Sequence, residues 1–292
     1  MDRIVYVNGD FVPQKDAKVS VFDRGFLFGD GVYEVIPVLN ARLVETAHAV
    51  ARLDRSLGEI GMAWPCAKED YLSILEEVRA RNGIAEGYVY MQVTRGVAER
   101  DFAFPANTPT SFVAFATARP IIDNPLATTG VSVVSVPDLR WKRRDIKSIN
   151  LLAQCLAKQE AVSRGAFEGW MHEDGVVTEG ASSSAFIVKE NKIITRALSN
   201  AILPGIRRKV IMQLTKDHAI ALEERAFTLE ESLAADEAFL SSATTIVMPI
   251  VRLDGKQIGN GQPGNVTRLL RKLYIALLLE EAHAPSAREF QS

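Results

Sequence analysis

Residues 140–150 read Arg-Trp-Lys-Arg-Arg-Asp-Ile-Lys-Ser-Ile-Asn, a basic stretch that sets one lysine, Lys147, between Ile146 and Ile149. An ordinary lysine titrates near about 10.4 and is a poor nucleophile at neutral pH. Desolvation or neighbouring positive charge lowers that value and frees the amine lone pair for attack on a carbonyl carbon. Lys147 is therefore a candidate Schiff-base lysine. The same residues also read as a solvated basic loop, or as a phosphate-binding patch of a nucleic-acid module, so their company has to decide.

Downstream, Val176-Val-Thr-Glu-Gly-Ala-Ser-Ser-Ser-Ala185 places Glu179 before a glycine and three hydroxyls, Ser182 among them, at an expected strand end. A carboxylate there can keep a heteroaromatic ring nitrogen protonated; alone, the stretch is also an ordinary turn with an exposed glutamate. Next, Leu203-Pro-Gly-Ile-Arg-Arg-Lys209 runs a Pro-Gly turn straight into an amphipathic helix. Backbone N–H groups and the helix dipole stabilise an anion at such a terminus, although a plain loop-to-helix junction looks the same. Ser241-Ser-Ala-Thr-Thr245 adds a second cluster of hydroxyl and amide donors, or a polar turn.

Around these segments the pattern alternates strands and helices. Ile4–Val12 holds Asn8-Gly9 between two β-rich runs, a hairpin signal. Ala49 to Met62 and Tyr71 to Ala80 carry apolar residues at helical spacing, and Asn82-Gly83 stops the second. GYVYMQVTRG (87–96) and TSFVAFATA (110–118) read as adjacent strands of one sheet. Arg119 to Pro125 has linker composition. Past it come a strand in GVSVVSV, a helix from about Asn150 to Arg164, a hairpin or meander through WMHEDGVVTEG (170–180) and SSAFIVKENKIITR (183–196), and a helix opening after Gly205. A short helix over Leu229–Ala234, a strand over Glu237–Leu240 and a helix from about Asn265 to Glu281 complete the reading. The expectation is an α/β (α+β) chain of two domains: a small α/β domain over 1–118, a linker over 119–125, and a larger mixed α/β domain over 126–292 with a frayed tail from about 283.

Composition narrows the function. A chain of 292 residues, 47% hydrophobic and 24% charged, can bury the cores of about two domains. A formal net charge of −2 provides no general field for nucleic acid or an anionic membrane surface. No apolar run reaches the roughly 20 residues that span a bilayer, and MDRIVYVNGD is not a secretory leader, so the chain is expected to stay in the cytoplasm. Cys66 and Cys155 are too few and too distant for a disulfide framework and read as buried small hydrophobes. His48, His172, His218 and His283 form no close ligand pair, so no metal is expected.

Taken together, the segments resemble the fold-type IV pyridoxal-5'-phosphate (PLP) enzymes. That group holds D-amino acid aminotransferases, branched-chain aminotransferases, (R)-selective amine transaminases and aminodeoxychorismate lyases. The resemblance runs from about residue 3 to residue 280 and is strongest to the bacterial D-amino acid enzymes. It rests on DRGFLFGDGVYEV (23–35), YMQVTRG (90–96), RWKRRDIKSINLL (140–152), KQEA (158–161), VTEGASS (177–183) and LPGI (203–206). It implies Lys147 as the Schiff-base lysine and proton shuttle of a 1,3-shift, and Glu179 as partner of the pyridine nitrogen, whose positive charge makes the cofactor an electron sink. Leu203 would pack on the ring, the amides of Ile206 and Arg207 would hold the phosphate, and Ser242, Ala243 and Ser182 would complete the cofactor contacts. Ala243 stands where a hydroxyl is usual. Arg52 matches the phosphate-binding arginine, although His48 lies four residues before it rather than two or three.

For the substrate, the resemblance implies Tyr33 and Val35 beside the carboxylate site and Arg100 in a carboxylate trap. Phe102 stands where the D-amino acid enzymes carry histidine. Losing one hydrogen bond removes about 0.5–3 kcal/mol of recognition, enough to change preference but not reaction type. Arg100 can still clamp a carboxylate through two parallel N–H bonds, or can pair on the surface with Glu99 or Asp101. The expected activity is transamination between D-amino acids, such as D-alanine, D-glutamate or D-aspartate, and 2-oxo acids, such as pyruvate or 2-oxoglutarate, in a homodimer. Alternatives are an (R)-selective amine transaminase and, further off, a branched-chain aminotransferase or aminodeoxychorismate lyase.

Overall fold

Asn8 and Gly9, both at positive φ (50° and 111°), close a two-residue turn between β1 (Ile4–Val7) and β2 (Asp10–Pro13). The structure, a computed structural model, describes residues 2–283; the tail expected beyond them lies outside the described residues. These residues form two compact units. Unit 1 takes 2–120, 146–149 and 276–283, and unit 2 takes 121–145 and 150–275.

After the hairpin, unit 1 continues with α1 (Arg24–Phe28), β3 (Gly31–Leu39), β4 (Arg42–Leu43), α2 (Thr46–Glu59), α3 (Lys68–Arg81), β5 (Gly87–Thr94) and β6 (Ser111–Ala118). Its six-stranded sheet runs β2-β1-β6-β5-β3-β4 and is antiparallel throughout. Val89, Met91 and Val93 alternate into the core on β5, where Leu53 and Leu57 of α2 and Tyr71, Leu75 and Val78 of α3 are also buried. Asn82, the expected helix stop, accepts from Ile4 N–H and donates to Ile4 O, both at 2.9 Å, tying the end of α3 to β1.

Unit 2 comprises α4 (Leu126–Thr129), β7 (Val131–Pro137), α5 (Leu152–Ser163), β8 (Glu168–Glu173), β9 (Val176–Gly180), β10 (Ser184–Lys189) and β11 (Lys192–Thr195), followed by α6 (Ile206–Asp217), β12 (Leu222–Glu224), α7 (Leu229–Leu233), β13 (Glu237–Ser242), β14 (Ile246–Leu253), β15 (Lys256–Gln257) and the start of α8 (Asn265–His283). The mixed sheet is ordered β12-β11-β10-β13-β14-β7-β8-β9, with β15 on β14. Both faces are covered, as near-continuous apolar strands require. Trp170, Val177, Ile187 and Leu240 lie in one core cluster and Val136, Ala157, Ala161 and Met171 in another.

The mixed α/β class agrees with the sequence; the partition of the chain is less simple than a linker followed by one continuous second domain. Ile121 is fully buried, and Arg271 Nη2 donates to the Ile122 carbonyl at 2.9 Å, so residues 121–125 of the linker-like stretch join unit 2, while 119 and 120 stay with unit 1. Residues 146–149 return to unit 1, where Tyr33 N–H donates to Lys147 O at 3.0 Å and Ile149 N–H to Gly31 O at 3.1 Å. The end of α8 also counts with unit 1, through Glu281 Oε1 accepting from Glu45 N–H at 2.7 Å. The cysteines depart from expectation too: Cys155 is exposed on α5 and Cys66 only half-buried.

Candidate active site

Within unit 2, β9 ends in Thr178-Glu179-Gly180, and the Glu179 side chain is buried there. A Cβ on Gly180 would crowd the Ser183 hydroxyl and the Glu168 carboxylate, so glycine leaves room for their contact. Glu168 is itself buried and receives the Ser182 N–H at 2.9 Å, the Ser182 hydroxyl at 2.6 Å and the Ser183 hydroxyl. Ser182, a sequence candidate for the cofactor, thus spends both donors on fixing this turn.

Glu179 Oε1 accepts from Arg140 Nη1, and Leu203 N–H lies 3.1 and 3.3 Å from its two oxygens. Arg140 is shared: Nε and Nη2 also donate to Asp138, at 2.9 and 2.7 Å. Asp138 receives the Thr178 hydroxyl at 2.6 Å as well, and Arg144 Nη1 lies 3.3 Å away. Burial alone would raise the Asp138 carboxyl, but the Arg140 and Thr178 donors hold it below the usual range. Glu179 goes the other way. Burial pushes its carboxyl up, and one arm of a shared guanidinium with one backbone N–H does not offset that. A buried carboxylate of raised basicity is a strong hydrogen-bond acceptor for a protonated ring nitrogen.

Through Leu203 this group continues to the N-terminus of α6. Gly205 is the helix cap, and the amides of Ile206 to Arg208 precede the first helical bond, Lys209 N–H to Gly205 O at 3.0 Å. Arg207 is buried and donates from Nη2 to the Ala243 carbonyl at 3.1 Å, which ties the helix start to the turn between β13 and β14. On that turn Ser242 and Thr245 share a hydroxyl hydrogen bond of 2.8 Å, and the adjacent Ser241 hydroxyl is buried with no partner among the described residues. Glu179, Leu203, Ile206, Arg207, Ser242 and Ala243 are thereby linked in one unit. An acceptor for a ring N–H, helix-terminal amides for an anion and an orphaned hydroxyl suit a phosphorylated heteroaromatic such as PLP.

In unit 1 the remaining candidates fall into three groups. Lys147 is half-buried, its Nζ lies 4.1 Å from the Tyr33 ring centroid, and its N–H is 3.4 Å from Ser56 Oγ. Tyr33 and Val35 point to the less buried face of β3, with Tyr33 stacked on Tyr90 at 5.5 Å. Glu34 faces the other way, fully buried, and takes Arg52 Nε and Nη2 at 2.7 Å each. Arg100 and Phe102 sit on an exposed loop, the guanidinium 5.7 Å from the Phe102 centroid and 5.5 Å from that of Phe28.

The positive field that the sequence gathers before Lys147 is largely cancelled. Arg140 pairs with Asp138 and Glu179, Arg143 with Asp145, and Arg144 with Asp138 and Glu173. The sequence reading also missed Arg140 and Asp138 as holders of Glu179, and Glu34 as the anchor of Arg52. Arg140 and Glu34 lay inside quoted motifs, but nothing in their spacing identified their partners.

With the geometry in view, comparison with known proteins places the chain. Residues 31–253 match the family model described as amino-transferase class IV, and the chain belongs to that family, whose members are PLP-dependent aminotransferases. It is 41% identical to the D-alanine aminotransferase of Staphylococcus haemolyticus over 271 residues, 92% of this chain and 95% of that protein. Among solved structures it resembles the branched-chain amino acid aminotransferase of Escherichia coli, with a TM-score of 0.88 at 23% identity and 98% of both chains covered. The corresponding T.th. enzyme, solved with pyridoxamine 5'-phosphate, also gives a TM-score of 0.88, at 25% identity over 98% of this chain and 96% of that one.

Proposed function

We propose that this aminotransferase exchanges amino groups between D-amino acids, D-alanine first among them, and 2-oxo acids such as pyruvate or 2-oxoglutarate. The observation that carries the reading is the buried Glu179, tied by Arg140 and the Leu203 N–H to the N-terminus of α6. The D-enantiomer is supported by identity to the staphylococcal D-alanine enzyme over nearly the whole chain.

When bound, PLP supplies a carbonyl carbon for the amine and an electron sink for the pair released from the substrate Cα. The chain's own residues do the rest. Lys147 would supply the amine that holds the cofactor's carbonyl carbon, and the same amine would hold and return the proton of the substrate Cα. Glu179 keeps the ring nitrogen protonated, and Arg140 with the Leu203 N–H keeps Glu179 aimed. Leu203, whose N–H lies beside Glu179, would pack against the ring. The amides of Ile206 and Arg207, with Ser242, Ala243 and Arg52, hold the phosphate, the helix dipole favouring its charge. Tyr33 and Val35 border the substrate, and Arg100 recognises its carboxylate.

One observation favours a second reading, (R)-selective amine transamination. Phe102 is 78% exposed and its ring lies 5.6 Å from Phe28, an apolar surface beside Arg100 where an aryl group can rest. Unit 1 also exposes Val21, Phe22, Phe26 and Val97, and the Asp23–Val97 bridge ties the segment before Arg24 to the one that carries Val97. A second copy of this chain covers that surface in our reading, giving a cytoplasmic homodimer. The deciding experiment is a half-reaction of holoenzyme with D-alanine, L-alanine and (R)-1-phenylethylamine, following conversion of the cofactor to its pyridoxamine form. Conversion by D-alanine is expected; conversion by L-alanine alone would overturn the reading.

A further inference from the structure

The motif Asp23-Arg-Gly-Phe-Leu-Phe-Gly-Asp30 carries no part of the function so far, yet it contains one of the most buried cations of unit 1. Asp23 caps α1 by accepting from Gly25 N–H at 2.8 Å. After a single turn, Gly29 in the left-handed conformation (φ 66°) reverses the chain. That reversal brings Asp30 back beside Arg24, whose Nε donates to Asp30 Oδ2 at 2.7 Å. Arg95 donates to the same oxygen at 2.8 Å, and its other nitrogens bond the Ile60 and Gly61 carbonyls.

Arg24 Nη1 reaches outward. It donates to the main-chain oxygens of Asp101, at 2.6 Å, and Ala103, at 3.3 Å, on either side of Phe102. The Arg24 guanidinium also lies 4.7 Å from the Phe28 centroid, the ring that faces Arg100 and Phe102. Arg24 is 2% exposed, whereas Phe102 is 78% exposed. An exposed loop is thus fastened from beneath by a buried guanidinium that is itself fixed by a carboxylate. We propose that Arg24 is a positioning residue for donor recognition: by holding the Asp101 and Ala103 carbonyls it sets where Arg100 and Phe102 stand. This rests on the reading of Arg100 as the group that recognises the donor carboxylate.

Lysine at position 24 keeps the charge but lacks the planar fork that serves Asp30 and two carbonyls together. The test measures kcat and KM for D-alanine in holoenzyme carrying Arg24→Lys, Arg100→Leu or both, with thermal melts for each. Arg24→Lys is expected to raise KM about tenfold, the scale of one lost charge-assisted bond, with little change in kcat. In the Arg100→Leu background the same change is expected to add nothing further, because the loop no longer carries the group that it positions. An equal rise in both backgrounds, or an unchanged KM in folded Arg24→Lys protein, overturns the proposal. An unchanged KM in Arg100→Leu overturns instead the reading of Arg100. Should Arg24→Lys fail to fold, Phe28→Leu removes the ring beneath both arginines, and the same pattern is required of it.

Discussion

Replacing Glu179 with glutamine removes a charge and leaves volume almost unchanged. The amide oxygen can still accept from Leu203 N–H, and Arg140 keeps Asp138 through Nε and Nη2, so no guanidinium is orphaned. What disappears is the charge-assisted acceptor for a protonated ring nitrogen. Such a bond contributes about 1.5–3 kcal/mol and its neutral counterpart about 0.5–1.5, a loss of about 1–2 kcal/mol. If the loss falls on the transition state, proton removal from the substrate slows about 5- to 30-fold. Stopped-flow single turnover of D-alanine by saturated Glu179→Gln holoenzyme measures that rate, and equilibrium dialysis measures retention of PLP. An unaltered rate, or a loss that excess PLP restores in full, would refute the electrostatic role.

Four further outcomes are expected. Lys147→Ala should abolish transamination while PLP is still retained non-covalently; borohydride reduction followed by peptide mapping checks that no other lysine carries the cofactor in wild type. Phe102→His should favour D-alanine over (R)-1-phenylethylamine by about 1–2 kcal/mol, the scale of one added hydrogen bond and one lost ring contact, read from the ratio of half-reaction rates. Because the folded-state pKa of Asp138 is depressed, the stability it contributes is present above its ordinary value of 3.8 and is lost as pH falls through the folded value. Asp138→Asn should therefore melt below wild type at neutral pH, with the gap narrowing once pH drops under 3.8. Phe239→Ala, which empties the partner of a 4.6 Å stack on Phe186, should cost about 3–5 kcal/mol in urea unfolding.

Local signals served the sequence reading well where local physics decides. The Asn8-Gly9 hairpin, the helices stopped by Asn82-Gly83 and opened after Gly205, and the adjacent pair β5 and β6 all stand where their residues suggested. What escaped depends on distant partners. β3 is the nine-residue strand between β5 and β4, yet its sequence holds a glutamate and a proline. Glu34 is tolerated in the core because Arg52 neutralises it from α2. Pro37 accepts the Val44 N–H through its carbonyl at 3.0 Å, so the N–H it lacks is missing from the outer edge of β3 and not from its ladder with β5. Lys147 and Glu179 were legible as candidates because their motifs are contiguous. Arg140 and Asp138 were not legible as holders of Glu179, since their pairing depends on β7 and β8 being parallel neighbours and β9 turning back on β8.

The short return of the chain over residues 146–149 bears on how the protein could be dissected. Those four residues close the otherwise open start of β3, taking the Tyr33 N–H and supplying an N–H to Gly31 O. A fragment ending at residue 120 keeps the whole of the first sheet in sequence but loses that cover, leaving a main-chain donor and acceptor unsatisfied beside an apolar strand. Bare edges of this kind recruit other strands. Expressed alone, the first 120 residues should self-associate through β3, and a peptide carrying residues 144–151 supplied in trans should suppress it. The lysine expected to carry the cofactor and the segment that closes this edge of the sheet are then one and the same stretch of chain, so an insertion or deletion there would disturb both.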